Sequence, residues 1–141
     1  MADSLPSQIQ LSIVTPDREV VHETVEAVTL PGTTGYLGIL PGHAPLLSEV
    51  RPGEIVYTRA EGKHYLAVSW GFAEVLPDRV IVLAKSAERA EEIDLQRARH
   101  ALERAEERLK KVSDPTIDRQ RAQEAYEKAL ARLNAARRTG V

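Results

Sequence analysis

The chain has 141 residues, 43% of them hydrophobic and 28% charged, with a net charge of −2. That length allows one ordinary domain, or a small domain with an appendage, and the composition excludes a disordered or collagen-like polymer. The absence of cysteine excludes disulfides, thiol catalysis and cysteine-based zinc sites, and it fits a reducing compartment.

The first residues, MADSLPSQ, lack a basic stretch followed by an apolar one. No signal peptide is therefore expected, and the chain is expected to stay in the compartment where it is made. Ile9, Leu11 and Ile13 then alternate with polar positions, the period of a half-buried strand. Further β-type runs follow at Val20–Leu30, Tyr36–Leu40, Leu46–Val50, Glu54–Thr58, His64–Val68, Phe72–Leu76 and Val80–Ala84. Turn signals separate them, among them Thr15-Pro16-Asp17, Pro31-Gly32, Pro41-Gly42, Pro52-Gly53, Glu61-Gly62 and Pro77-Asp78. The longest wholly apolar run, Val80–Ala84, is far short of the ~20 residues that cross a bilayer. Short strands with frequent turns over residues 1–86 predict a small antiparallel β-sandwich or barrel.

After Ser86 the pattern changes. No glycine occurs before Gly140, and Pro115 is the only proline. Ala98, Ala101, Leu102, Ala105, Leu109 and Val112 recur at steps of three and four, as do Ala122, Ala125, Tyr126, Ala129, Leu130, Leu133 and Ala136. Ser113-Asp114-Pro115 separates the two stripes, with Asp114 placed as an N-cap and Pro115 suited to the first helical position. Residues 87–141 thus read as an antiparallel α-helical hairpin attached to a β domain. The charge divides along the same line. Residues 1–86 carry 6 Lys and Arg against 10 Asp and Glu, whereas residues 87–141 carry 13 against 11. From Ile117 onward the ratio is 6 to 3, so the end of the chain suits acidic partner surfaces.

Each helical segment opens on nearly the same phrase, IDLQRA at 93–98 and IDRQRA at 117–122. An aspartate near the first turn complements the helix dipole. An arginine three residues on allows Asp94–Arg97 and Asp118–Arg121 to pair on the surface for ~0.2–0.5 kcal/mol each. On these grounds the phrase is a rule for starting a helix and needs no ligand. The alanine-rich stripes bring the helices close but adhere weakly, since a methyl contributes about 0.8 kcal/mol against ~1.5–3 for a leucine. Such a hairpin is expected to be loosely committed to one docking arrangement.

Familiar catalytic constellations are absent. His22, His43, His64 and His100 are scattered without metal-ligand spacing, and no G-x-S-x-G occurs. Gly32, Gly35 and Gly38 lack both the GK[ST] ending and the G-x-G-x-x-G order of phosphate loops. Glu91/Glu92 and Glu106/Glu107 fall in helical stretches where solvated faces are the ordinary reading. A catalytic role for this chain is not expected.

The stretch LPGTTGYLGILPGHAPLL (30–47), together with YLAVSWGFAEVLPDRVIVLAKSAERAEEIDLQRA (65–98), resembles the epsilon subunit of F-type ATP synthases. The resemblance runs in the same order along nearly the whole chain. It implies a flattened β-sandwich followed by a helical hairpin, in agreement with the periodicity. It also implies a place in the central rotor, where the sandwich binds the gamma subunit and the ring of c subunits and couples proton-driven rotation to ATP synthesis. The segment from Gly32 through Gly35, Tyr36, Gly38, Pro41 and Gly42 to His43 matches the part that faces the ring. Tyr36 stands where relatives usually carry glutamate, and Trp70 where they carry glycine. Tyr36 would exchange a charged contact for stacking or a hydrogen bond. Trp70 must either cover the sandwich or meet a partner.

In that family the hairpin, extended into the alpha/beta catalytic head, blocks ATP hydrolysis; folded beside the sandwich, it does not. Basic residues of the second helix then meet an acidic segment of the beta subunits, and Arg121, Lys128, Arg132, Arg137 and Arg138 are available here. In some bacterial members the first IDxxRA binds ATP and holds the folded state. Glu88, Ile93, Asp94, Arg97, Ala98, Arg104 and Arg132 match those positions, and Lys128 stands where such members carry arginine, losing the planar fork that suits phosphate. No cofactor or metal is implied beyond ATP as a regulatory ligand, and the implied location is peripheral, on the cytoplasmic face of a bacterial inner membrane. The competing reading is a free-standing sandwich adaptor whose basic arm clamps an acidic protein. Nucleic acid is disfavoured, because aromatics are only 4% and charges alternate in sign along the arm.

Overall fold

Alternation places Ile9, Leu11 and Ile13 on one face of β1 (Ile9–Val14), and all three are buried. The computed structural model describes residues 5–139. It continues with β2 (Glu19–Val25), β3 (Ala27–Gly32), β4 (Gly35–Ile39), β5 (Leu46–Val50), β6 (Gly53–Arg59), β7 (Gly62–Val68), β8 (Gly71–Leu76), β9 (Arg79–Ala84) and β10 (Ala87–Arg89). A 3-10 turn (Ala90–Glu92), α1 (Leu95–Lys110) and α2 (Arg119–Thr139) follow. The strands form two five-stranded sheets, ordered β2-β1-β9-β8-β5 and β10-β7-β6-β3-β4. Pairing is antiparallel throughout the described residues except between β1 and β9, where Leu11 faces Val80 in a parallel pair. The architecture is the expected β-sandwich followed by a helical hairpin.

Val20–Leu30, one extended run by composition, is two strands in different sheets. Val25 and Val28 are both buried, and three residues apart they cannot share one face of an unbroken strand. The chain resets at Glu26, whose amide donates to the Thr58 carbonyl at 2.8 Å. β2 thereby stays on β1, while β3 crosses to pair with β4 and β6.

Between the sheets lies an aliphatic core that includes Ile13, Val21, Leu30, Ile39, Ile55, Leu66, Val75 and Val82. Tyr57 is fully buried within it, and desolvation pushes its phenol above the usual tyrosine range. Its hydroxyl accepts from Arg89 Nη1 at 3.0 Å, and Arg89 Nη2 donates to the Val20 carbonyl at 3.2 Å. Arg89 on β10 therefore ties the second sheet to β2 of the first.

The helices begin at the two aspartates of the repeated phrase. Asp94 Oδ1 accepts the Arg97 amide at 3.1 Å, and Asp118 Oδ1 accepts the Arg121 amide at the same distance. The expected surface pairing of each aspartate with its arginine is thus a cap on the backbone rather than an ion pair with the guanidinium. Asp114 does not cap α2. It lies before Pro115, which disfavours helical backbone at the preceding residue, and it bonds the Thr116 amide and hydroxyl at 2.9 and 2.6 Å in a turn. Val112, expected in the first stripe, lies beyond α1 and is 73% exposed.

Ala98 and Ala105 of α1 are buried, and so are Ala122, Ala129, Leu133 and Ala136 of α2. A second alanine face of α2 went unread in the sequence. Ala131 and Ala135 pack on Ala67 of β7 and Ala90 of the 3-10 turn, bordered by Tyr65 and Ile93. α2 is therefore the layer between α1 and the second sheet. At ~0.8 kcal/mol per methyl, these four alanines contribute roughly 3 kcal/mol at most, a weak attachment for 21 residues of helix.

Candidate functional site

Among the described residues, three ion pairs reinforce that attachment. Arg132 of α2 reaches Glu88 of β10, with Nε 2.7 Å from Oε1 and Nη2 donating to Oε2 at 3.3 Å. The Nε–H is not aligned with Oε1 and has no directed acceptor, so the contact there is coulombic. Arg138 Nε donates to Oε2 of Glu54 at 3.2 Å, and its guanidinium lies 5.5 Å from the centre of the Tyr65 ring. Arg51 meets Glu127 of α2 at 3.5 Å. Glu54 is almost fully buried, and a buried carboxylate without a cation is costly. The nearby Glu54 carboxylate holds the Arg138 guanidinium above its usual range.

Of the residues matched to a nucleotide site, three come together. Glu88, Lys128 and Arg132 line an open cleft of about 370 Å³ with Thr15, Arg18 and Lys85. The others lie elsewhere. Ile93 packs beside the alanine cluster under α2, and Asp94 spends its carboxylate on the Arg97 amide. Ala98 is buried, Arg97 is exposed, and Arg104 belongs to a solvent-facing stripe of α1 with His100, Glu107 and Arg108. Arg18 and Lys85 were missed because no spacing signals them; they reach the cleft from a β1–β2 turn and the end of β9. Arg18 is itself partly neutralised by Glu92 at 3.4 Å.

The segment matched to the ring-facing part is a β-hairpin with two separate ends. Gly32 pairs with Gly35 at one turn, where Gly35 has φ of +129°, a value that only glycine adopts easily. Pro41, Gly42 and His43 form the other turn beyond the far end of β4, which at ~3.3 Å per residue lies roughly 16 Å away. There the Gly42 amide donates to the Pro77 carbonyl at 2.7 Å, and His43 Nδ1 meets the Ala44 carbonyl at the same distance. Gly38 lies between them on β4, with open space where a side chain would be. Tyr36 is 58% exposed, yet its hydroxyl accepts the Glu54 amide at 3.2 Å.

Of the five basic residues, Arg132 and Arg138 are engaged by the sandwich, while Arg121, Lys128 and Arg137 are exposed. The first sheet presents a contrasting surface. Val14, Pro16, Trp70, Phe72 and Leu83 line an apolar groove of about 470 Å³, with Phe72 and Leu83 each 55% exposed. Trp70 is half-buried there as a wall, outside the core.

Comparison with known proteins finds matches to both parts of the chain. Residues 8–90 match the family model described as ATP synthase, delta/epsilon chain, beta-sandwich domain. Residues 91–137 match the long alpha-helix domain of the same chain. The chain is 56% identical over 110 residues to the ATP synthase epsilon chain of Koribacter versatilis, covering 78% of this chain and 75% of that one. It is 40% identical over 136 residues to ATP synthase epsilon chain 2 of Syntrophotalea carbinolica, covering 96% and 99%. Among solved structures, a chain of the Euglena gracilis mitochondrial ATP synthase, in an OSCP/F1/c-ring assembly, superposes with a TM-score of 0.81 at 29% identity. That match covers 96% of this chain and 85% of the other.

Proposed function

The chain belongs to the ATP synthase delta/epsilon chain family, and on that premise we propose that it is a non-catalytic rotor subunit whose helical hairpin regulates ATP hydrolysis. The sandwich is the rigid part. Its groove around Trp70, left uncovered because α2 occupies the other sheet, is the surface offered to the gamma subunit. The two turns of the 32–43 hairpin are offered to the c-ring, so that proton-driven rotation is passed to the catalytic head. No described helix is long and apolar enough to cross a membrane. In this reading the ring holds the chain peripherally at the cytoplasmic face of a bacterial inner membrane.

One observation carries the regulatory part. Arg132 and Arg138, two of the cations suited to an acidic segment of the beta subunits, are held on Glu88 and Glu54 of the sandwich. A docked hairpin has those guanidinium groups engaged, and a hairpin extended into the head must have released them. The docked form is therefore the permissive state, and the brake is reached by breaking these pairs.

ATP is the regulatory ligand in this reading, and no cofactor is required. Lys128, Arg132, Arg18 and Lys85 supply cations for a polyphosphate beside Glu88. Arg97 and Arg104 lie outside that cleft, so binding to this docked form is expected to be weak.

The deciding experiment is ATP hydrolysis by the assembled synthase, with the full chain and with a version ending at Glu92. Ending there preserves β10 and the Arg89 bonds to Tyr57 and Val20. Hydrolysis should rise several-fold in the shortened version while gamma binding is retained. Equal hydrolysis with gamma still bound would overturn the regulatory reading.

A further inference from the structure

The pairing of β3 with β6 stops at Thr29 and Val56. Pro31, the next residue of β3 on the same face as Thr29, has no N–H to offer. At this level the amide of Glu54 donates to the hydroxyl of Tyr36, which reaches across from the edge strand β4. Gly53 makes the reach possible. A Cβ there would lie 2.8 Å from Pro31 Cβ and 2.9 Å from the Tyr36 hydroxyl. The carboxylate of the same Glu54 holds Arg138 in the last turns of α2, where the guanidinium also covers Tyr65. A second tie runs in parallel. The Arg51 amide donates to the Pro31 carbonyl at 2.9 Å, and the Arg51 guanidinium meets Glu127 of α2. The two ties flank a cleft of about 320 Å³ between the Pro31–Tyr36 turn and the hairpin.

We propose that Tyr36 couples the exposed 31–36 turn to the docking of the hairpin, through the Glu54 backbone and the Glu54–Arg138 pair. The hydroxyl fixes the position of β6 at Glu54, and so fixes the carboxylate that Arg138 must find. With the residue 58% exposed, Tyr36 is open to a surface that meets this turn. A partner that draws the ring outward frees the Glu54 amide and loosens the last turns of α2. The turn is thus a control point on the hairpin separate from the Glu88–Arg132 cleft, which shares no residue with it. The identity of the surface rests on the reading above; the coupling is internal to the chain.

The test therefore uses the isolated full chain. Amide hydrogen exchange over α2 is measured in the parent, Tyr36→Phe, Arg138→Ala and the double variant. Tyr36→Phe keeps the ring and removes only the acceptor, so exchange in β1 and β9 serves as the control for an intact sandwich. Loss of one hydrogen bond should speed α2 exchange roughly three- to tenfold, and Arg138→Ala should do at least as much. In the Arg138→Ala background, Tyr36→Phe should add nothing further. Unchanged α2 exchange in Tyr36→Phe, or full additivity in the double variant, would overturn the coupling. A failed brake would appear elsewhere, as hydrolysis unaffected by removing the hairpin.

Discussion

Arg132 closes on Glu88 from 44 residues away in sequence, with Nε 2.7 Å from a carboxylate oxygen and only 19% of the arginine side chain exposed. The pair joins α2 to β10, the last strand before the hairpin begins, so it is made only when the hairpin lies back on its own sandwich. Each alanine methyl beneath it contributes only ~0.8 kcal/mol, so this partly screened charge pair outweighs any one of those contacts and gives the docking its direction.

Removing one member of that pair should shift the hairpin equilibrium. Arg132→Ala or Glu88→Gln is expected to weaken docking by about 1–2 kcal/mol, a five- to thirtyfold change in the open fraction. Hydrogen exchange over α2 reads that fraction. Glu88→Gln separates the two roles of Arg132, because it frees the arginine for an acidic partner instead of deleting it. In the assembled synthase Glu88→Gln should therefore inhibit hydrolysis more strongly, and Arg132→Ala less. Equal inhibition by both would sink the idea that the arginine is shared between states.

Asparagine separates capping from ligand binding at the repeated phrase. It caps as well as aspartate does, whereas alanine loses about 0.5–2 kcal/mol of helix stability. Asp94→Asn and Asp118→Asn should leave the helical circular dichroism and melting unchanged, and both alanine variants should lower them. If Asp94 does more than begin a helix, Asp94→Asn will weaken ATP binding while Asp118→Asn leaves it alone. Identical titrations for the two asparagine variants would make the phrase architecture only.

Much of this was legible in the sequence. Period-two alternation located most of the strands, and the loss of glycine and proline after Ser86 marked the hairpin. The failures have physical causes. Val20–Leu30 looked like one strand because its apolar positions slip phase at Glu26, a slip that matters only once two sheets exist. Asp114 looked like the cap because Pro115 follows it, but Asp118 offers the same chemistry one turn later without a proline behind it. Ala131 and Ala135 fall outside the single stripe that steps of three and four define, because α2 packs on two sides. The partners of Arg132, Arg138 and Tyr36 lie 44, 84 and 18 residues distant, where no local pattern can name them.

Two glycines should be indispensable to different degrees. A Cβ on Gly71 would sit 1.9 Å from the Leu83 carbonyl oxygen, and the obstruction is the backbone of the paired strand β9. Gly71→Ala is expected to cost about 3 kcal/mol or more and to displace β8 from β9. Gly53→Ala meets Pro31 and Tyr36 side-chain atoms instead; the tyrosine can swing away, and the Pro31 ring, 2.8 Å off, must shift with β3. Its cost should be nearer 1–2 kcal/mol, with loosening of α2 as its signature. Urea denaturation ranks the two, and Gly53→Ala proving the more damaging would contradict the geometry.

Trp70 supplies both the variant and the probe for the gamma surface proposed above, because it is the only tryptophan in the chain. It borders the groove formed with Pro16, Phe72 and Leu83 while remaining half-buried, so the sandwich uses only part of its area. Aromatic residues in that situation are the usual anchors of protein interfaces. Trp70→Ala should therefore cost the isolated chain only about 1 kcal/mol or less, yet weaken gamma binding at least tenfold, about 1.4 kcal/mol. In the parent, burial of the indole on binding should shift its emission to shorter wavelength and protect it from iodide quenching. Retention of parental affinity by Trp70→Ala, with emission unmoved on assembly, would place the gamma contact on another face and leave the groove without this partner.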